Sequence, residues 1–274
     1  MSSDNIKNIS LVFSENPIAR GYLYLLLKKN LNENKIIYLD NKLIFNNFFL
    51  KLRYNLAFKN TKKYLKSQKI LPLVRNIEKY FDLDENFLIE MYNFENIFKF
   101  KNIAFTENNN INNHRNVKFF NELNEKNFLN TTNKILKNIF TTNKNFFHIH
   151  PGYLYKIRGA DGTLNSIKYF NEIGASFYLM DEKIDNGKII KRFRKNFNKI
   201  SFPHKNEFSS FDLYNIWFSF FDPALRVSLL KKMIQEDINI YDFLKIDKKN
   251  EKDSYYSFID KKELGDLFIN KIFL

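Results

Sequence analysis

Histidine is scarce in this 274-residue chain, and two of its four histidines stand almost side by side. F-F-H-I-H at 146–150 alternates in the manner of a β-strand, so His148 and His150 project to one face. Pro151 and Gly152 end the run, because proline cannot donate to a strand ladder and glycine permits a tight turn. A second apolar run, A-S-F-Y-L-M at 175–180, also reads as a strand. It gives way to Asp181, Glu182 and Asp185, with Asn186-Gly187 as a turn signal. Imidazole is the side chain most easily poised for proton transfer near neutral pH, and a nearby carboxylate orients it or raises its pKa. Two imidazoles and an aspartate brought together from neighbouring strand ends have the makings of acyl-type chemistry. The alternatives are solvated loop histidines or the start of a metal site. A zinc hydrolase needs further ligands, and beyond this pair only His114 and His204 remain, with no cysteine.

The whole stretch H-I-H-P-G-Y-L-Y-K-I-R-G at 148–159, followed by M-D-E-K-I-D-N-G at 180–187, resembles the active-site signature of the folate-dependent formyltransferases. That signature reads approximately N-x-H-P-S-L-L-P-x-x-R-G and then D-x-G-x-D-x-G. The resemblance is close over residues 145–192 and extends weakly back toward the N-terminus. It implies movement of a formyl group from 10-formyltetrahydrofolate to an amine, without a metal. It implies His148, His150 and Asp185 as the catalytic residues, with His150 at the oxyanion and Asp185 holding His150 and a proton-relaying water. It implies Leu136, Met180, Asp181, Ile184 and Gly187 around the folate, and Gly152, Tyr153, Arg158 and Gly159 on the acceptor side. His148 stands where the family has asparagine, so its ring would donate the hydrogen bond of a carboxamide and make activity more steeply pH-dependent. Tyr155 replaces the second proline, and F-L-N-T-T-N-K-I-L at 128–136 lacks the glycine usual in the segment that walls the pterin.

Around these residues the chain reads as α/β. I-S-L-V-F-S at 9–14 is a buried strand, Glu15-Asn16-Pro17 breaks it, a helix follows, and K-I-I-Y-L at 35–39 is the next strand. Strand, helix, strand opens a doubly wound, mostly parallel Rossmann-like sheet. The missing G-x-G-x-x-G argues against a dinucleotide site. Residues 43–100 read as a helical insertion, and 102–106 and 128–132 as further strands. His114 falls in an Asn-rich loop, and 161–170 reads as a capped helix. The expected organisation is a catalytic domain over 1–200 and a helical extension over 201–274, in which Asp222-Pro223 separates two helices and Trp217 is a packing anchor.

The net charge of +14 invites a nucleic-acid reading. Lysine is spread along the chain, however, and its clusters are short: Lys62-Lys63, K-I-I-K-R-F-R-K at 188–195, Lys231-Lys232 and Lys248-Lys249. The longest reads as an edge strand with charged residues facing solvent. The cysteine-free composition and the polar first residues, without a signal-peptide pattern or a long apolar run, point to the cytoplasm. Family members that act on initiator tRNA carry a C-terminal barrel, whereas the tail here reads as helices. By elimination the resemblance implies a small-molecule amine, such as an amino-sugar nucleotide, rather than tRNA. Hydrolysis of formyltetrahydrofolate and a non-catalytic binding role are the competing readings.

Overall fold

A computed structural model describes residues 4–40, 47–245 and 254–274. The first positions of the helical insertion (43–46) and the Lys248-Lys249 pair lie outside them. In chain order the elements are β1 (Ser10–Phe13), α1 (Pro17–Lys28), β2 (Ile36–Tyr38), α2 (Asn47–Ala57), α3 (Lys59–Leu65), α4 (Leu71–Tyr80) and α5 (Phe87–Glu90). Then come β3 (Ile103–Phe105), α6 (His114–Glu122), β4 (Asn127–Asn130), β5 (Asn145–His150), β6 (Arg158–Gly159) and α7 (Gly162–Phe170). The chain continues through β7 (Glu172–Leu179), β8 (Lys188–Asn196), α8 (Ser210–Ile216), α9 (Asp222–Gln235), β9 (Tyr255–Tyr256) and α10 (Lys261–Asp266).

Among the described residues seven strands form one sheet in the order β3-β2-β1-β4-β5-β7-β8. The pairs from β3 to β5 are all parallel, while β5–β7 and β7–β8 are antiparallel. The order reverses between β1 and β4, and open sheets of this kind place ligands in the crevice beyond the carboxyl ends of such neighbours. The inner strands are short continuous apolar runs because both faces are covered. Leu11, Phe13, Leu129 and Phe147 pack with the helical insertion and α9, while Val12, Phe128 and Phe146 pack on the opposite side. The turn into α1 is secured as its residues suggest: Asn16 accepts from the Ala19 N–H, and Pro17 takes the first helical position, where no N–H is needed. β8 is the terminal strand and carries the basic run, as expected for a charged edge.

Four local expectations change. Asp161 does not cap α7; it sits at φ +48°, and its carboxylate accepts from the Ile259 N–H and the Tyr214 hydroxyl, tying the C-terminal segment to the helix. Asp222-Pro223 does not separate two helices. The helix runs on through a π-turn at Trp217–Phe221, and the Ser219 carbonyl, which Pro223 has no N–H to meet, accepts the Tyr92 hydroxyl at 2.5 Å. The tail is not wholly helical either, because β9 pairs with β6 beside the first motif. Trp217 is buried and stacked on Phe221, the packing role expected of it. Exposed His114 begins α6 rather than lying in a loop, with Asn113 capping the helix. Among the described residues no helix is long and apolar enough to cross a membrane.

Candidate active site

β5 carries His148 and His150 to the carboxyl edge of the sheet, and β7 runs antiparallel beside it, with Ser176 opposite His150. Past Pro151 the chain folds over the strand end. Ser176 Oγ donates to the Gly152 carbonyl at 2.8 Å and accepts from the Leu154 N–H at 2.9 Å. Gly152 lies so close to the imidazole that a Cβ there would stand 2.8 Å from His150 Nε2. The β7–β8 turn brings Asp185 across with φ +51°. Its Oδ2 accepts from the Gly159 N–H at 2.9 Å and its Oδ1 from the Tyr178 hydroxyl at 3.0 Å. Tyr155 donates to the Gly187 carbonyl at 2.8 Å, so the residue in the second-proline position joins the two motif loops.

The resulting centre is His150 and Asp185, with His150 Nδ1 3.5 Å from Asp185 Oδ1. His150 Nε2 lies 3.0 Å from the Ile157 carbonyl, which can only accept, so the proton of the neutral ring belongs on Nε2. The Nδ1 lone pair then faces the carboxylate. Burial holds the His150 pKa below its usual value despite Asp185, which keeps the ring neutral. Burial by itself would raise the Asp185 pKa, but His150, the Gly159 N–H, His148 and Tyr178 together bring it below the usual carboxylate value. A neutral base beside a fixed carboxylate is poised to take a proton at Nδ1, where Asp185 stabilises the imidazolium that forms.

His148 departs from its expected role. Its Nδ1 lies 3.2 Å from the Asn130 carbonyl, and its Nε2 lies 3.3 Å from Arg226 Nη1. Guanidinium only donates, so Nε2 accepts and Nδ1 holds the hydrogen given to Asn130. Burial and then Arg226 lower the His148 pKa to about 3, against the pull of Asp185. The ring therefore has no N–H directed at a substrate and does not titrate near neutrality, so the steeper pH dependence expected from it is not carried by this geometry.

Two clefts meet at Asn133, His148 and Asp185. The smaller, about 140 Å³, is lined by Leu136, Met180, Asp181 and Ile184 together with Asn130 and Ile135. The larger, about 430 Å³, is lined by His150, Gly159, Asp161, Thr163, Tyr214 and Arg226 among others. Four of the five residues assigned to folate thus share one wall. Gly187 is instead packed against the Leu179 carbonyl. Of the acceptor-side residues, Gly159 lines the larger cleft and Gly152 backs His150. Tyr153 lies beneath Arg192 and Arg194, 4.2 and 4.9 Å from ring centre to guanidinium, and Arg158 Nη1 donates to Asn186 Oδ1 at 3.3 Å. Sequence reasoning missed Asn130, Tyr178, Asp222 and Arg226. Only the last two left a signal, an acid and a base one turn apart in an otherwise apolar helical run.

No protein-family model matches the chain, and no curated protein does. Solved structures do. An N-formyltransferase from Helicobacter canadensis, in complex with folinic acid and dTDP-3-aminofucose, matches at 18% identity over 91% of this chain and 70% of its own, with a TM-score of 0.51. A 4-N formyltransferase from Francisella tularensis matches at 17% identity over 92% of this chain and 76% of its own, with a TM-score of 0.49. Phosphoribosylglycinamide formyltransferase from Campylobacter jejuni matches at 17% identity over 82% and 96%, with a TM-score of 0.42. The chain therefore has the fold of the Helicobacter N-formyltransferase.

Proposed function

We propose that this protein transfers a formyl group from 10-formyltetrahydrofolate to a primary amine on a small molecule, with an amino-sugar nucleotide as the acceptor class. The observation that carries the reading is the His150–Asp185 pair, 3.5 Å apart, with Asp185 at the junction of two clefts and His150 lining the larger. A transfer between two bound molecules needs such a junction, because holding both reactants against one acid–base group makes the encounter effectively intramolecular. The smaller cleft suits a pterin: Leu136, Ile135, Met180 and Ile184 offer apolar contact, and Asn130 and Asp181 offer polar edges. The larger cleft holds Asp161 and the aromatic residues Tyr214, Phe218 and Phe258, a setting for an amine borne on a larger group. The Helicobacter enzyme binds folinic acid and dTDP-3-aminofucose, one ligand of each of these two classes, which supports the reading.

In this reading His150 Nδ1 accepts the proton lost by the attacking amine and returns it to the departing folate nitrogen, while Asp185 holds the ring charged in between. Residues 1–200 supply both motifs, and α9 closes the larger cleft. The cysteine-free chain suits a reducing cytoplasm. The test is incubation of the purified protein with 10-formyltetrahydrofolate and a panel of primary amines that includes amino-sugar nucleotides and initiator tRNA. A formylated small amine is the expected product. Formate alone means hydrolysis, formyl on tRNA alone overturns the acceptor class, and folate binding without turnover means a binding protein.

A further inference from the structure

The position where the motif carries histidine in place of asparagine is met, in the fold, by a side chain from the other end of the chain. Arg226 is buried, and its Nε donates to Asp222 Oδ2 at 3.0 Å. Its Nη1 donates to the Ile149 carbonyl at 2.6 Å and to His148 Nε2 at 3.3 Å. Thr163 Oγ1, whose one hydrogen is shared with the Pro151 carbonyl at 3.3 Å, lies 3.5 Å from Asp222 Oδ1, so the guanidinium is fixed to β5 with its partner set against α7. These bonds use Nε and both hydrogens of Nη1; of the two on Nη2, the buried Tyr22 hydroxyl beside the guanidinium can take one, which leaves one for a further acceptor. Arg226 also lines the larger cleft alongside His150 and Asp185. His148, whose ring nitrogens are engaged by Asn130 and Arg226, has no hydrogen left for a substrate oxygen.

We propose that Arg226 is a catalytic residue that receives the oxyanion of the tetrahedral adduct, and that His148 is its positioning residue. This rests on the formyl-transfer reading. As the amine nitrogen bonds to the formyl carbon, the carbonyl π pair moves onto oxygen, where the guanidinium meets it. The amine proton passes to His150 Nδ1. Collapse reforms the carbonyl, breaks the bond from carbon to the folate nitrogen, and that nitrogen takes the proton back from His150. A fixed cation adds charge that a carboxamide does not, and a donor of this kind is typically worth about 10²–10³ in turnover.

The experiment measures total formyl release from 10-formyltetrahydrofolate, to amine or to water, by the full chain. Arg226→Ala should lower kcat about 10²–10³-fold with little change in KM, and added methylguanidine should restore part of it. His148→Gln, whose amide oxygen reaches the place of Nε2 and can still accept from Arg226, should keep more kcat than Arg226→Ala. Because Arg226→Ala leaves Asp222 buried without its partner, the neutral double variant Asp222→Asn/Arg226→Gln carries the same comparison if the single variant does not fold. A retained kcat with a raised KM, or a loss that guanidinium leaves untouched and that follows a lowered melting temperature, overturns the assignment while the formyl-transfer reading stands. A wild-type protein that releases no formyl to any acceptor overturns both.

Discussion

At the scale of single residues, the division of labour between the two histidines follows from what each ring nitrogen touches. His150 keeps one nitrogen for the Ile157 carbonyl and presents the other to Asp185, so His150→Ala should lower turnover about 10²–10⁴-fold with the fold intact by circular dichroism. Unchanged turnover would mean that the chemistry lies elsewhere. His148, with a pKa near 3, also bears on stability. The unfolded chain binds a proton on this ring near its ordinary pKa of about 6.5, and the folded protein binds it only near 3. The stability linked to the neutral ring is therefore complete above about pH 6.5 and is lost as pH falls toward 3, at about 1.4 kcal/mol per unit of pH at most. His148→Asn removes that titration. The melting temperature of the wild type should fall more steeply than the variant's between about pH 6.5 and pH 4, and parallel curves would show that the ring is not held neutral.

Elements were more legible in the sequence than their junctions. The buried strands β1, β2 and β5 stand where short apolar runs put them, with Pro17 after β1 and Pro151-Gly152 after β5 as terminators, because both features act locally. Asp185 could be tied to His150 through the motif resemblance. No local pattern, however, showed that Asp222 and Arg226 face β5, since that contact depends on how α9 packs against the sheet. The same limit applies to Asp161, which has the look of a helix cap but bonds Ile259 and Tyr214. The π-turn before Pro223 arises because the Ser219 carbonyl finds a tertiary donor in Tyr92, which no window of sequence contains. The turn that carries Asp185 is the element most open to test. A Cβ at Gly187 would fall 1.7 Å from the Leu179 carbonyl, so Gly187→Ala must shift the backbone two residues from the Asp185 carboxylate. Misplacement by about 1 Å can cost about 10²-fold, and turnover should drop by that order. Wild-type kinetics in this variant would show that the turn does not set the position of Asp185.

On the scale of the whole molecule, a single sheet is arranged so that its switch point, its two motif loops and a helix from the C-terminal region converge on one junction. The excess of positive charge is spread over the surface and does not by itself select a polyanionic partner; its basic strand is a sheet edge, stacked in part on Tyr153. The central claim is that the junction moves a formyl group intact from one bound molecule to another. The most direct measurement is a single-turnover reaction with 10-formyltetrahydrofolate carrying a carbon-13 formyl group and an amino-sugar nucleotide carrying nitrogen-15 at its amine, followed by NMR. Wild-type protein should produce a one-bond coupling between the two labels, and His150→Ala should not. Labelled formate without that coupling, or coupling formed equally by His150→Ala, would contradict the account.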